Sequence, residues 1–266
     1  MQTARKNLRA FHPLIHCITN PISINQCANA ILAVGARPMM AEHPAEVAEI
    51  TETANALLLN LGNITDARMQ SIRIASEAAL KHGVATVLDA VGIACSTLRR
   101  NFVHTLLKQH TPQMIKGNAS EICALYDAHY KSAGVDADAA LDLRHTTRIA
   151  AALAQKYSTV ILVSGKTDII TDGNTVLYIR NGTPQLTTVT GTGCMLGALC
   201  ACYASVTDAV SAAKTACAVL GISGQLSETD SGSGSFMLHL MDKISTLTDE
   251  DINKHIRLEE MQIEEL

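Results

Sequence analysis

Ala56-Leu57-Leu58-Leu59-Asn60-Leu61, the helical pattern of residues 66–82, and Ala85-Thr86-Val87-Leu88 together form the stretch that decides the fold. The outer segments are apolar almost throughout and too short for helices. A strand apolar on both sides must be covered on both faces, so strand, helix and strand in this order predict a parallel sheet between helical layers. The same rhythm recurs outward along the chain. Strand-like runs lie at Leu14–Ile18, Pro38–Met40, Met114–Ile115 and Thr159–Val163, with helices expected near 24–34, 45–54, 97–109, 118–128 and 138–157. Right-handed crossovers between the strands then follow.

After Val163 the pattern changes. Asp168–Thr171, the turn Asp172-Gly173-Asn174 and Val176–Ile179 read as an antiparallel hairpin. Helices are expected near 194–206, 207–227 and 235–246, and the mixed-charge segment from Asp249 reads as a solvated terminal helix. No composition break or linker interrupts residues 1–266, which predicts a single α/β domain: a mostly parallel central sheet covered by helices on both faces, with a hairpin in the second half.

Bulk composition narrows the chemistry. Aromatic residues are 3% of the 266, with no Trp, and the formal net charge is −4 without a basic cluster. Nucleic acid is therefore excluded as the expected partner. Eight cysteines, at 17, 27, 95, 123, 194, 200, 202 and 217, contain no C-x-x-C and sit mostly in apolar company, the usage of buried thiols in a reducing compartment. The start, Met1-Gln2-Thr3-Ala4-Arg5-Lys6, is too polar for a signal peptide, and no uninterrupted apolar run reaches the about 18 residues a membrane span needs. A soluble cytoplasmic protein with no membrane partner is expected.

Val189-Thr190-Gly191-Thr192-Gly193-Cys194-Met195-Leu196-Gly197-Ala198 carries the strongest functional signal. Glycines running into an apolar, alanine-rich tract read as a loop opening a helix. The first amides of a helix have no partner inside it, and with the helix dipole they form a seat for an anion. Cys194, the first side chain past the glycines, stands in a field that favours a thiolate. The bland alternative is a glycine turn followed by a core cysteine.

In an open α/β sheet the ligand lies beyond the carboxyl ends of the strands. The residues there are Thr19-Asn20, Asn60, Asp89, Lys116-Gly117-Asn118, Ser164-Gly165 and the Gly191–Cys194 turn. Ser164-Gly165-Lys166-Thr167 resembles the tail of a P-loop, but position 160 is Val where that motif needs glycine, so a Walker A site is rejected. Asp89 and Glu121 are either a Mg²⁺-linked carboxylate pair or, for Glu121, the reciprocal partner of an Asn118 helix cap. Lys116 is either a surface lysine or a point charge on phosphate. His12 and His16 do not form a helical metal pair, because Pro13 and the strand character of Leu14-Ile15 intervene.

Several segments in order, over nearly the whole chain, resemble the hydroxyethylthiazole kinase family of the ribokinase-like superfamily. They are Pro13–Asn20, Gly35–Ala41, Leu88–Gly92, Ile115–Ile122, Asp172-Gly173, Val189–Leu196 and Gly232–Phe236. The resemblance implies phosphorylation by ATP, with Mg²⁺, of the hydroxyl of 4-methyl-5-(2-hydroxyethyl)thiazole. It implies Met40, Gly191 and Asn20 at the thiazole, Lys116, Ser164, Thr192 and Gly193 at ATP, and Asp89 and Glu121 as metal-linked acids. It also implies Cys194 where most relatives in the superfamily carry an aspartate base, and a homotrimer with thiazole sites between subunits. The chain departs from the family at Ala90 (usually Pro), Ala94 (usually Gly), Lys116 (usually Arg) and Asn63 (more often Thr). The alternatives are a kinase for a hydroxymethylpyrimidine or vitamin B6 alcohol, a cysteine acyl-transferase, and a non-catalytic thiazole or nucleotide sensor.

Overall fold

The computed structural model describes residues 1–127, 130 and 142–265. Its strands are β1 (Leu14–Ile18), β2 (Arg37–Met39), β3 (Ala56–Asn60), β4 (Ala85–Asp89), β5 (Met114–Asn118), β6 (Val160–Ser164), β7 (Asp168–Thr171), β8 (Thr175–Ile179) and β9 (Leu258–Gln262). They form one sheet in the order β2-β1-β3-β4-β5-β6-β7-β8-β9. Every neighbouring pair from β2 through β6 is parallel, and those from β6 onward to β9 are antiparallel.

Alternate residues of each strand serve different layers. Leu58 belongs to one buried cluster while Leu57 and Leu59 belong to the other, and Leu162 divides from Ile161 and Val163 in the same way. Burying each such side chain contributes about 2 kcal/mol, so the apolar strands fix the sandwich from both sides. One face carries α2 (Ile24–Val34), α8 (Thr192–Ala204), α9 (Ala209–Leu226) and α10 (Ser233–Thr246). The other carries α4 (Asp66–His82), α5 (Thr97–Gln109), α6 (Ala119–Tyr126) and α7 (Leu143–Tyr157). Local signals set the helix ends. Thr65 caps α4 by accepting the Arg68 amide, and Gly83, at φ 68°, ends it in the left-handed region.

The hairpin forms as expected, with Thr171 opposite Val176 and the Asp172 carboxylate accepting the Asn174 and Thr175 amides. Residues 128 and 138–141 of two expected helices lie outside the described residues. At the ends of the chain one expectation fails and one element is new. An N-terminal helix, α1 (Gln2–Phe11), was not foreseen, and its Arg5 reaches Asp249 and the Leu247 carbonyl. The expected terminal helix is only α11 (Asp249–His255), after which the chain pairs with β8 as β9. Leu258-Glu259-Glu260-Met261-Gln262 is exposed along nearly its whole length, and charges on an edge strand read like a solvated helix.

Candidate active site

Parallel pairing brings the carboxyl ends of β1, β3, β4, β5 and β6 to one edge, and α8 starts above them. A cleft of about 1240 Å³ opens there, with Lys116, Glu121, Ser164, Gly191, Thr192, Gly193 and Cys194 on its wall. Gly191 is the N-cap of α8 with φ 87°, and a side chain there would meet Ser23 at 3.1 Å. Among the described residues no side chain caps this helix end, and its first residues line the cleft. Thr192 turns its hydroxyl back onto the Leu186 carbonyl at 2.9 Å, tying the preceding loop to the helix.

Cys194, half-buried, is held by two amides. Asn20 Nδ2 and Asn60 Nδ2 each lie 3.3 Å from its Sγ. Their orientation is forced: Asn20 Oδ1 accepts the Ile22 and Ser23 amides, and Asn60 Oδ1 accepts the Gly62 amide and the Asn20 side chain. Both NH₂ groups must therefore point at the sulfur, which is an acceptor twice over. The second hydrogen of Asn60 goes to Asp89 Oδ2 at 3.0 Å.

Asp89 is fully buried and Lys116 is 3% exposed. The lysine Nζ stands 3.1 and 3.2 Å from the two carboxylate oxygens. Burial pushes the Asp89 carboxyl upward, against the pull of Lys116 and Asn60. Burial also opposes the charge of Lys116, but Asp89 and Glu121 outweigh it and raise the lysine above its ordinary value. Burial raises Glu121 to about 7, with the Lys116 charge working against it. Asn118 and Glu121 form the reciprocal cap on α6, Glu121 Oε2 accepting the Asn118 amide at 2.7 Å. Its Oε1 accepts the Gly92 amide at 2.7 Å, so one carboxylate holds both the helix and the turn after β4.

The departures have local reasons. Ala90 supplies an N–H that proline lacks, and it donates to the Lys116 carbonyl at 2.8 Å. Asn63 has φ 47°, a left-handed conformation that asparagine tolerates better than a β-branched residue.

Met40 lies apart from the cleft, half-buried on the segment after edge strand β2. That segment is fastened from two directions. His16 Nε2 donates to the Ala41 carbonyl at 3.0 Å, leaving Nδ1 to face the Thr51 hydroxyl at 2.9 Å, and burial lowers its pKa toward a neutral ring. Arg68 pairs with Glu42 at 3.1 Å and donates to the Gly62 and Asn63 carbonyls. The structure thus gathers Cys194, Asn20, Asp89, Lys116, Glu121, Gly191, Thr192 and Gly193 around the start of α8. Ser164 joins them on the cleft wall, and Met40 is not among the residues lining it.

In the sequence Asn60 is marked only as a strand-end residue, yet it touches both Cys194 and Asp89. Its signal was an amide ending an otherwise apolar strand. Asp168, Arg180, Asn181 and Arg257 also line the cleft and were not foreseen there. Asp168 accepts the Gly165 amide at 2.9 Å, and burial raises it to about 6.

Together the sheet order, the hairpin and the uncapped helix over the strand ends define the ribokinase-like fold. A solved pyridoxal kinase from Staphylococcus aureus shares it, with a TM-score of 0.65 at 13% identity over 94% of this chain and 98% of that one, a likeness of fold alone. The hydroxyethylthiazole kinase family model matches residues 5–250, and the chain belongs to that family. Hydroxyethylthiazole kinase 2 of Clostridium botulinum (strain Hall) is 40% identical over 259 residues, 96% of this chain and 98% of the relative. The hydroxyethylthiazole kinase of Alkaliphilus metalliredigens is 40% identical over 246 residues, covering 90% and 89%. The solved hydroxyethylthiazole kinase of Pyrococcus horikoshii OT3 superposes with a TM-score of 0.88 at 30% identity over 97% of both chains.

Proposed function

We propose that this protein transfers the terminal phosphoryl group of ATP to the hydroxyl of 4-methyl-5-(2-hydroxyethyl)thiazole, giving the thiazole phosphate used in thiamin synthesis and salvage. The observation that carries the reading is the open start of α8, with Cys194 in its first turn and the Lys116–Asp89 pair beneath it.

Phosphoryl transfer asks the protein chiefly for alignment and for neutralisation of charge on the moving group. The α8 amides, backed by the helix dipole, supply donors where that charge develops. Lys116 adds a point charge, and Ser164 and Gly193 border the nucleotide. The acceptor hydroxyl lies by Cys194, whose sulfur is steered by Asn20 and Asn60 and accepts the proton late in the transfer. The proton thus leaves the alcohol for sulfur as its oxygen bonds to phosphorus and the bond to ADP breaks. Gly191 borders the thiazole from the cleft, and Met40, which lies apart from the cleft within one chain, supplies a thioether wall to the nearly apolar ring across the boundary between subunits.

The chemistry of the donor set fits Mg²⁺ held through water. Among the described residues no group of three or more His, Cys, Asp or Glu side chains makes a cage, and the oxygens of Asp89 and Glu121 already accept protein hydrogen bonds. Mg²⁺ characteristically keeps waters and binds through one or two carboxylates plus substrate phosphates, which is the role left to Asp89 and Glu121. Bound there, the ion supplies charge neutralisation on the phosphate chain.

Residues 1–266 act in this reading as one kinase domain in the cytoplasm. Among the described residues no helix is long and apolar enough to cross a membrane. A homotrimer with thiazole sites between subunits is supported by edge strand β2, where Met39, next to Met40, is 40% exposed. ADP release measured with thiazole, hydroxymethylpyrimidine and pyridoxal alcohols tests the whole reading. Turnover that depends on the thiazole supports it, and turnover with another alcohol alone, or none at all, overturns it.

A further inference from the structure

We propose that the segment leading into strand β9 completes the nucleotide site, with the Arg257 guanidinium as a contact to the purine end of the donor. The inference rests on the kinase reading above and adds a residue to it. Arg257 lies beyond the residues 5–250 that the family model matches.

The placement follows from the sheet. The hairpin reverses direction twice, so Asp168 at the start of β7 stands opposite Ile179 at the end of β8, and Ile179 opposite Leu258 at the start of β9. All three therefore lie at the same edge as Ser164 and Lys116. From β5 to β9 is four strand spacings of about 4.8 Å, roughly 19 Å, across the mouth of the cleft. Lys116 and the start of α8 define the phosphate end. Cys217 and Leu220 of α9 give the wall an apolar stretch beside Asn181 and Gly221, a surface that suits a purine better than a phosphate.

Arg257 enters beside that stretch on a rigid corner. Its amide donates to Asn181 Oδ1 at 2.8 Å, and its carbonyl accepts the Arg180 amide at 3.0 Å. Asn181 Nδ2 donates to the His255 carbonyl and to Gln225 on α9, each at 2.8 Å. Gly221 lies so close beneath that a side chain there would meet the Asn181 carbonyl at 2.8 Å. The neighbouring Arg180 is spoken for, paired with Glu259 and lying over the Tyr178 ring. Arg257 is exposed, lines the cleft, and its guanidinium has no hydrogen bond or ion pair to another described residue. A planar cation held at the apolar stretch of a nucleotide cleft stacks on an aromatic base.

The test is calorimetric titration of the full chain and its Arg257→Ala variant with ADP and with inorganic triphosphate, together with steady-state kinetics. Arg257→Ala weakens ADP by about three- to ten-fold and raises the KM for ATP by a similar factor. Inorganic triphosphate binding and the KM for the thiazole do not move. Equal ADP affinity in the two proteins overturns the assignment while leaving the kinase intact. A parallel loss for inorganic triphosphate overturns it too, since that places the guanidinium on the phosphates. Failure of the unmodified protein to bind ADP overturns the kinase reading and this inference together.

Discussion

Replacing Lys116 by Met tests how the site holds its charges. The lysine is 3% exposed and Asp89 fully buried, and the ammonium lies within 3.2 Å of both carboxylate oxygens. Without it, Asp89 keeps, among the described residues, only the Asn60 amide at 3.0 Å, too little for a desolvated carboxylate. Removing one partner of a buried pair costs about 3–5 kcal/mol, whereas replacing both by neutral groups of similar volume costs far less. At roughly 2–4 °C per kcal/mol for a chain of this size, Lys116→Met melts about 10 °C lower at pH 8. Because burial raises the Asp89 carboxyl, the variant takes up a proton there as pH falls. Its deficit is therefore smaller at pH 5 than at pH 8. The double variant Lys116→Met with Asp89→Asn regains most of the lost stability yet remains inactive with ATP. Urea unfolding of the four proteins gives the coupling directly. Additive losses, or a Lys116→Met protein as stable as the original at pH 8, would refute the account of the pair.

Three further outcomes follow from the geometry. Cys194→Ala lowers kcat by about 10²-fold and Cys194→Asp recovers part of it; total loss in Ala with none recovered in Asp counts against proton acceptance by the sulfur. Asp168, raised by burial from 3.8 to about 6, keeps its proton in the folded chain where the unfolded chain has lost it, so folding loses on the order of 3 kcal/mol as pH rises through that window. Asp168→Asn removes this slope while still accepting the Gly165 amide, and unchanged urea midpoints at pH 4.5 and pH 8 relative to the original protein would contradict it. Gly221→Ala forces a methyl to 2.8 Å from the Asn181 carbonyl, costs about 1–3 kcal/mol by overpacking, and raises the KM for ATP because the corner carrying Arg257 must shift.

The parallel core was legible because residues such as Leu57, Leu58 and Leu59 are apolar in succession, which only a sheet covered on both faces tolerates. The Asn118–Glu121 cap was legible because its spacing is local. Asn60 was not, since its role depends on β3 lying between β1 and β4, which carry Asn20 and Asp89 near its two sides. Strand β9 was hidden for a different reason. An edge strand facing water has no buried side to impose a period of two, and its charges carried the helical reading. The same gap concealed Arg257, because nothing near it in sequence signals that the chain comes back to the cleft.

Of the eight cysteines, six are buried, Cys95 is exposed and Cys194 is intermediate. A chain rich in sulfur therefore offers a thiol reagent only two accessible handles, one on the outer surface and one at the reaction centre. With Cys95 changed to Ser, a single labelling event becomes a titrant of competent sites, and a small alcohol that shields the remaining sulfur announces its own binding without any turnover being measured.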